Sequence, residues 1–383
     1  MMTEVIDLLL RRGRPVFFVL LLFSHCGDKG QSSIKKDFVA DVPTRLQFQE
    51  VDSTLFVIPE EIPSELLFFH LLDSEIYCTS YQTPNEIYKL DSRSGRLSQV
   101  FSLSETPFYD KRVKSFALIE NSFYVLLENT NILQIDRATN EYKVHKRADS
   151  DGLLTINIMQ SPVLVSYDYQ LYFPTYKLGY FEKESRLDES PIGFSFNTRN
   201  SSWSELPAHT GSVAELQETR FPYDLTLPYL SPFVRGIALS YPMDHDIYIL
   251  DHASRNPKKI NFEFKGADEF DPPLDISSYQ EDDIYHRYRM KTGYYYSVNY
   301  HGTRDIWTRV YFPEKSIQEI SGRLKVRSGD LIVIASDGDF RYLGEYKIKK
   351  QEGYTSLLVG SGYVAVITKN ESKDELLVCR YWL

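Results

Sequence analysis

Cysteine, tryptophan and methionine are scarce in this chain, and so is any long apolar run. Its 383 residues hold three Cys, three Trp and five Met. Cys26, Cys78 and Cys379 are too few for a disulfide scaffold. Cys78 lies in the strand-like run Ile76–Ser80 and Cys379 in the final strand-like run, so both read as buried free thiols; a disulfide between them is the alternative. The longest apolar stretch, Pro15 to Phe23, falls short of the about 20 residues that span a bilayer. Neither a G-x-S-x-G elbow nor a phosphate-binding Gly-rich loop occurs, and low-complexity segments are absent. Positive charge is in deficit: the net charge is −10, and loss of residues 1–25, with Arg11, Arg12, Arg14, Glu4 and Asp7, moves it one unit further. That balance argues against nucleic acid and against an electrostatic grip on anionic lipid.

Aromatic residues are abundant, with 28 Tyr and 23 Phe. They suit pleated, half-buried surfaces and point to strands. One pattern recurs: an aromatic strand, a polar turn, a strand ending in Asp or Asn, a short turn and a further strand. The copies are EIYCTSYQTPNEIYKLDSRSGRLSQVFSL (75–103), SFYVLLENTNILQIDRATNEYKVHK (122–146), YQLYFPTYKLGYF with GFSFNTRNSSWSEL, and IALSYPMDHDIYILDHASRNPKKINFEF (237–264). Asp91, Asp136, Asn197 and Asp251 hold the equivalent place, where a short polar side chain caps a turn through nearby backbone N–H groups. The segments 292–302, 305–312, 330–337 and 340–350 read as four strands of one long unit. The last copy, GYVAVITKNESKDELLVCRYWL, stops before a fourth strand. Repeats of this length made of strands imply an all-β fold, a β-propeller, six-bladed on this grouping or seven-bladed if the C-terminal units are split. The missing strand is expected from the other end of the chain, from Leu46–Gln49 or Thr54–Ile58, so that N-terminal and C-terminal strands pair and close the ring. Glu60–Leu72 is expected as a short helix or an edge strand.

At the N-terminus, RRGRPVFFVLLLFSHC (11–26) has the charged and apolar regions of a secretory signal. Its cysteine resembles the lipobox of bacterial lipoproteins, with His25 where that motif has a small residue. This implies a signal peptide over 1–25, lipid attachment at Cys26, a flexible tether over 26–36 and one propeller domain over 37–383. The expected address is the cell envelope, on the outer membrane or its periplasmic face, with the membrane reached through the lipid; plain secretion is the alternative. The I-Y-x-L-D units, the block IVIASDGDFRYLGEYKI and the ending SGYVAVITKNESKDELLVCRYWL resemble six-bladed TolB-like propellers. Together with the lipobox-like start they are similar to uncharacterised lipoproteins of the Bacteroidota, the domain-of-unknown-function family 4221. That family carries no assigned reaction, so the resemblance implies no catalytic residues.

The richest polar cluster is DDIYHRYRMK (282–291). Read as an extended strand, it puts Tyr285, Arg287 and Arg289 on one face and His286 on the other, with His301, Arg304 and Arg309 nearby. Arg forks favour carboxylate or sulfate and Tyr faces favour sugars or apolar rings. Tyr285, His286, Arg287, Arg289, His301 and Arg304 are therefore the candidate ligand-binding residues; the alternative is ordinary packing and ion pairing. The aromatics Tyr167, Tyr169, Tyr172, Phe173, Tyr176, Tyr180 and Phe181 read as core and rim packing rather than as a sugar platform. His245 and His252, seven apart across a strand, fall on opposite faces and read as exposed loop residues. DSDG (149–152) and SDGDF (336–340) lack the terminal bidentate acid of a calcium loop, so no metal and no cofactor is expected. The expectation is a non-enzymatic binding or interaction module for an envelope protein, peptide or glycan. The alternatives are an envelope glycan hydrolase or lyase acting at the channel mouth, and a structural subunit of an envelope complex.

Overall fold

Strands with apolar residues on both faces need cover on both sides, and the strand Ile306–Phe312 is buried along its whole length. Outer strands behave differently: in Arg96–Ser102 only Leu97 is fully buried. This contrast is what stacked sheets produce when inner strands are sandwiched and outer ones face water. The computed structural model describes residues 49–382 apart from 63–66, 73–74, 81, 128–130, 148–153, 156–163, 178–190, 212–218, 222, 252–256, 264–265, 267–269, 276–283, 285–286, 289–290, 314–315, 321–322, 328–329, 349–353, 361 and 371–372.

Six four-stranded antiparallel units follow one another among the described residues. The first comprises Leu67–Leu72, Glu75–Ser80, Glu86–Asp91 and Arg96–Ser102. The second comprises Val113–Ile119, Ser122–Leu127, Ile132–Asp136 and Tyr142–His145. The third runs through Val165–Tyr167, Gln170–Pro174, Gly193–Asn197 and Ser202–Glu205, and the fourth through Tyr229–Phe233, Gly236–Ser240, Asp246–Asp251 and Lys258–Asn261. The fifth is Tyr294–His301, Ile306–Phe312, Leu331–Asp337 and Tyr342–Ile348, with the hairpin Ser316–Ile320/Arg323–Arg327 inserted between its second and third strands. The sixth takes Tyr354–Gly360, Tyr363–Asn370 and Glu375–Trp382 from the end of the chain, and its outer strand Gln49–Val57 from the beginning. Glu60–Leu72 resolves at its end into the strand Leu67–Leu72, at the edge of its sheet. No helix among the described residues is long and apolar enough to cross a membrane.

Closure follows the expected route. Gln49 to Val57 run antiparallel to Trp382 to Glu375, with a bulge between Glu50 and Asp52. The Val57 amide then bonds Gly95 O at 2.9 Å, linking the sixth unit to the first. Phe56 is fully buried there, which contributes about 2–3 kcal/mol of apolar transfer. Six apolar clusters lie one between each pair of neighbouring units, including Phe69, Ile76 and Leu90 of the first against Ile367 and Val378 of the sixth. The ring is therefore shut by packing as well as by the ladder.

The turn-capping role holds at Asp91, Asp136 and Asn197, while the turn after Asp251 lies outside the described residues. Asp91 accepts from Arg93 N, Asp136 from Ala138 N and Thr139 N, and Asn197 from Arg199 N and Asn200 N. Asp337, within the calcium-loop-like run, does the same for Asp339 N and Arg341 N. Cys78 and Cys379 are free and buried, in clusters on opposite sides of the sixth unit's first three strands.

Candidate binding cleft at the ring closure

Of the six residues singled out from the sequence as ligand-binding candidates, Arg287, His301 and Arg304 lie among the described residues. Among the described residues of 282–291, Ile284, Arg287, Tyr288 and Lys291 are helical, which corrects the extended reading at those positions. The Thr292 amide donates to Tyr288 O at 3.0 Å, the bond of a helical turn, so the alternation of faces does not apply. Arg287 is exposed, while Tyr288 is half-buried and donates its hydroxyl to Asp271 O. Tyr285, His286 and Arg289 lie outside the described residues, as do Cys26, His252 and the DSDG run at Asp151 and Gly152.

His301 is buried, not presented to solvent. Its Nε2 lies 2.8 Å from Thr308 Oγ1, and its Nδ1 accepts the Gly362 amide at 2.8 Å. It thus ties the fifth unit to the first hairpin of the sixth. Accepting at Nδ1 needs an unprotonated nitrogen, and burial with the charge of Arg304 pulls its pKa down to about 4. Arg304 sits exposed in the turn before Ile306.

Arg309, from the same sequence region, is fully buried. Its Nε donates to Ser240 Oγ, Nη1 to the carbonyls of His245 and Phe262, and Nη2 to those of Tyr241 and Asp244. The guanidinium also lies 3.6 Å from the centre of the Tyr295 ring. Burial pulls its pKa down to about 10, so it stays charged at neutral pH. This arginine staples the fifth unit to the fourth and leaves no N–H for a ligand. His245 is half-buried rather than exposed. It stacks on Phe270 at 4.4 Å and its Nδ1 meets Tyr295 OH at 3.1 Å.

The aromatic residues expected in the core are found there where described: Tyr172 and Phe173 are buried, and Tyr167 packs against the cluster between the third and fourth units. Tyr169 is half-buried at the rim of the third unit, donating to Glu120 and covered by Arg199.

A cleft lies where the ends of the chain meet the first unit. It encloses about 420 Å³, toward the lower end of the roughly 300–1,000 Å³ typical of small-molecule sites. Phe56, Ile76 and Leu90 lie at its base, buried in the core between the first and sixth units. Glu75, Lys89, Asp91, Ser92, Arg93, Ser98 and Arg380 form its polar rim. Lys89 pairs with Glu75 at 2.5 Å, and Tyr77 OH donates to the same carboxylate at 2.8 Å. The Lys89 hydrogen bond holds Glu75 below the usual carboxylate range. The Arg93 amide does the same for Asp91. Arg380, largely buried, bonds Asp52 at 3.2 Å across the closing ladder. The Arg93 guanidinium has no partner among the described residues, although its backbone amide caps the turn. Sequence reasoning missed this cleft, whose walls come from residues 56, 75–98 and 380. Its one sequence signal was the truncated last repeat, which brings Arg380 beside the first unit.

A ring of four-stranded sheets closed by the two ends of the chain is a β-propeller. No protein-family model matches the chain, and no curated protein does. Among solved structures it is similar to a member of the DUF4221 family from Bacteroides vulgatus, at 13% identity and a TM-score of 0.64, over 88% of this chain and 97% of that one. It is more loosely similar to the RRP9 WD40 repeats, at 11% identity and a TM-score of 0.46 over 88% and 100% of the two chains. A protein of unknown function from Bacteroides thetaiotaomicron aligns at 14% identity and a TM-score of 0.40, over 70% of this chain and 58% of that one. The first of these likenesses is one of fold.

Proposed function

We propose that this chain is a cell-envelope binding module, a propeller tethered through a lipid on Cys26 that presents a site to an envelope protein, peptide or glycan. The N-terminal sequence supports the address: a charged region, a short apolar run, Cys26 and a polar tether. The observation that carries the binding role is the open, charged cleft at the ring closure, with an Arg93 guanidinium that has no partner among the described residues. The catalytic alternative called for acids converging on His286 or His301, and His301 is committed to Thr308 and Gly362. A role as subunit of an envelope assembly finds support in Leu55, Val57 and Val100, exposed on the two outer strands that meet at the seam.

Two measurements test the reading. Mass spectrometry of the mature protein from its native cells should find a diacylated or triacylated Cys26 at the N-terminus; an intact Met1 removes the envelope address. The mature chain probed against glycan and peptide arrays should bind one chemical class saturably. Absence of saturable binding to any class would count against a binding module.

A further inference from the structure

We infer that the cleft at the ring closure takes a small acidic sugar, its carboxylate held by Arg93 and its hydroxyls by Glu75 and Asp91. The inference rests on the binding-module reading and names the ligand class. The rim has three cations and two carboxylates. Lys89 is committed to Glu75 and Arg380 to Asp52, which leaves the Arg93 guanidinium as the rim cation with no partner among the described residues. A planar, always-charged fork with five donors matches a carboxylate bidentately.

The rest of the rim selects against a bare anion. Glu75 and Asp91 are both held ionised, by Lys89 and by the Arg93 amide respectively, and an ionised carboxylate is an acceptor only. They would repel a compact dianion, but they accept hydrogen bonds from hydroxyl groups. A ligand that satisfies both halves of the rim carries one carboxylate and several hydroxyls. Phe56, Ile76 and Leu90 are only 1–4% exposed and belong to the core beneath the rim, so the polar side chains of the rim make the contacts with the ligand. Because Phe56 comes from the first strand and Arg380 from the last, occupancy would also brace the closure of the ring.

The test uses the mature chain and isothermal titration with sodium glucuronate, glucose and sodium sulfate, on wild type, Arg93→Gln and Arg235→Gln. Arg235 is an exposed turn cation in the fourth unit, away from the cleft. Glucuronate should bind saturably and glucose at least about tenfold more weakly, the worth of one charge-assisted contact. Sulfate at equal concentration should not displace glucuronate. Arg93→Gln should weaken glucuronate by about tenfold or more with an unchanged unfolding midpoint, while Arg235→Gln leaves it unaltered. A glucuronate-terminated oligosaccharide, run in parallel, separates a free sugar from a chain end: equal affinity assigns the terminal residue alone. No saturable glucuronate binding, equal displacement by sulfate, or full affinity in Arg93→Gln each overturns the inference. Array binding that survives Arg93→Gln would leave the binding module standing and move its site elsewhere.

Discussion

Replacing Arg309 with methionine keeps much of the side-chain length and removes every donor. All five guanidinium N–H groups have partners at 2.7–3.2 Å: Ser240 Oγ and the carbonyls of His245, Phe262, Tyr241 and Asp244. The substitution takes the guanidinium from all five acceptors; Tyr241 O and His245 O keep the Asp244 and Phe262 amides at 3.3 and 3.4 Å, while Ser240 Oγ and Phe262 O lose a buried donor. Each buried unpaired acceptor costs about 1–3 kcal/mol, and breaking a buried charged network costs about 3–5 kcal/mol as a whole. The two figures do not add, because the loop around Asp244 can relax and admit water. The expected loss is about 4 kcal/mol or more, a large share of the roughly 5–15 kcal/mol that holds a domain folded. Arg309→Lys keeps the charge but offers three donors for five acceptors and gives up the flat contact with Tyr295, so about 2–4 kcal/mol should go. Urea unfolding followed by tryptophan fluorescence reads this directly, since Trp307 lies on the same strand. The midpoint should fall with an unchanged slope. A methionine variant within about 1 kcal/mol of wild type would refute the staple.

Acid should destabilise the fold through its buried histidines. Burial lowers His70 to about 3 and His209 to about 4, and burial together with Arg304 lowers His301 to about 4, against an ordinary 6.5. Both ring nitrogens of His70 lack a hydrogen-bond partner among the described residues. Each ring is neutral when folded and takes a proton when unfolded, so the unfolded chain binds more protons between about pH 6.5 and 4. Stability should therefore fall as pH drops through that window, by up to about 1.4 kcal/mol per pH unit for each histidine. Urea midpoints at several pH values check this, and a midpoint flat across the window contradicts it. Burial also pushes the Cys78 thiol up and holds Cys379 inside. Neither should react with a thiol reagent until denaturant is added, and rapid labelling of the native protein would show the clusters around them to be open.

The strands were readable because their cause is local. Ile87-Tyr88-Lys89-Leu90-Asp91 and Ile247-Tyr248-Ile249-Leu250-Asp251 each end in a residue that stops the strand, and Asp91 caps its turn as its chemistry requires. Closure was readable because the last repeat lacked a strand. At the described positions of 282–291 the extended reading failed, because backbone bonding such as Thr292 N to Tyr288 O took the helical option. His301 and Arg309 are residues of catalytic type whose burial no local pattern reveals; their partners lie up to 69 residues away. The cleft escaped for the same reason, since Arg380 and Asp52 meet across 328 residues of chain.

Ring closure by the two ends can be tested with one cross-link. Ser53 stands directly opposite Cys379 in the ladder, and opposed residues of an antiparallel pair lie about 4.5–5.5 Å apart at Cα, within disulfide reach. Ser53→Cys, mildly oxidised and digested without reduction, should yield a peptide containing residue 53 joined to one containing Cys379. Thr54→Cys, which points to the other face, should not. A Ser53→Cys protein that stays reduced at both sites, or joins Cys78 instead, would mean that the first strand does not lie beside the last.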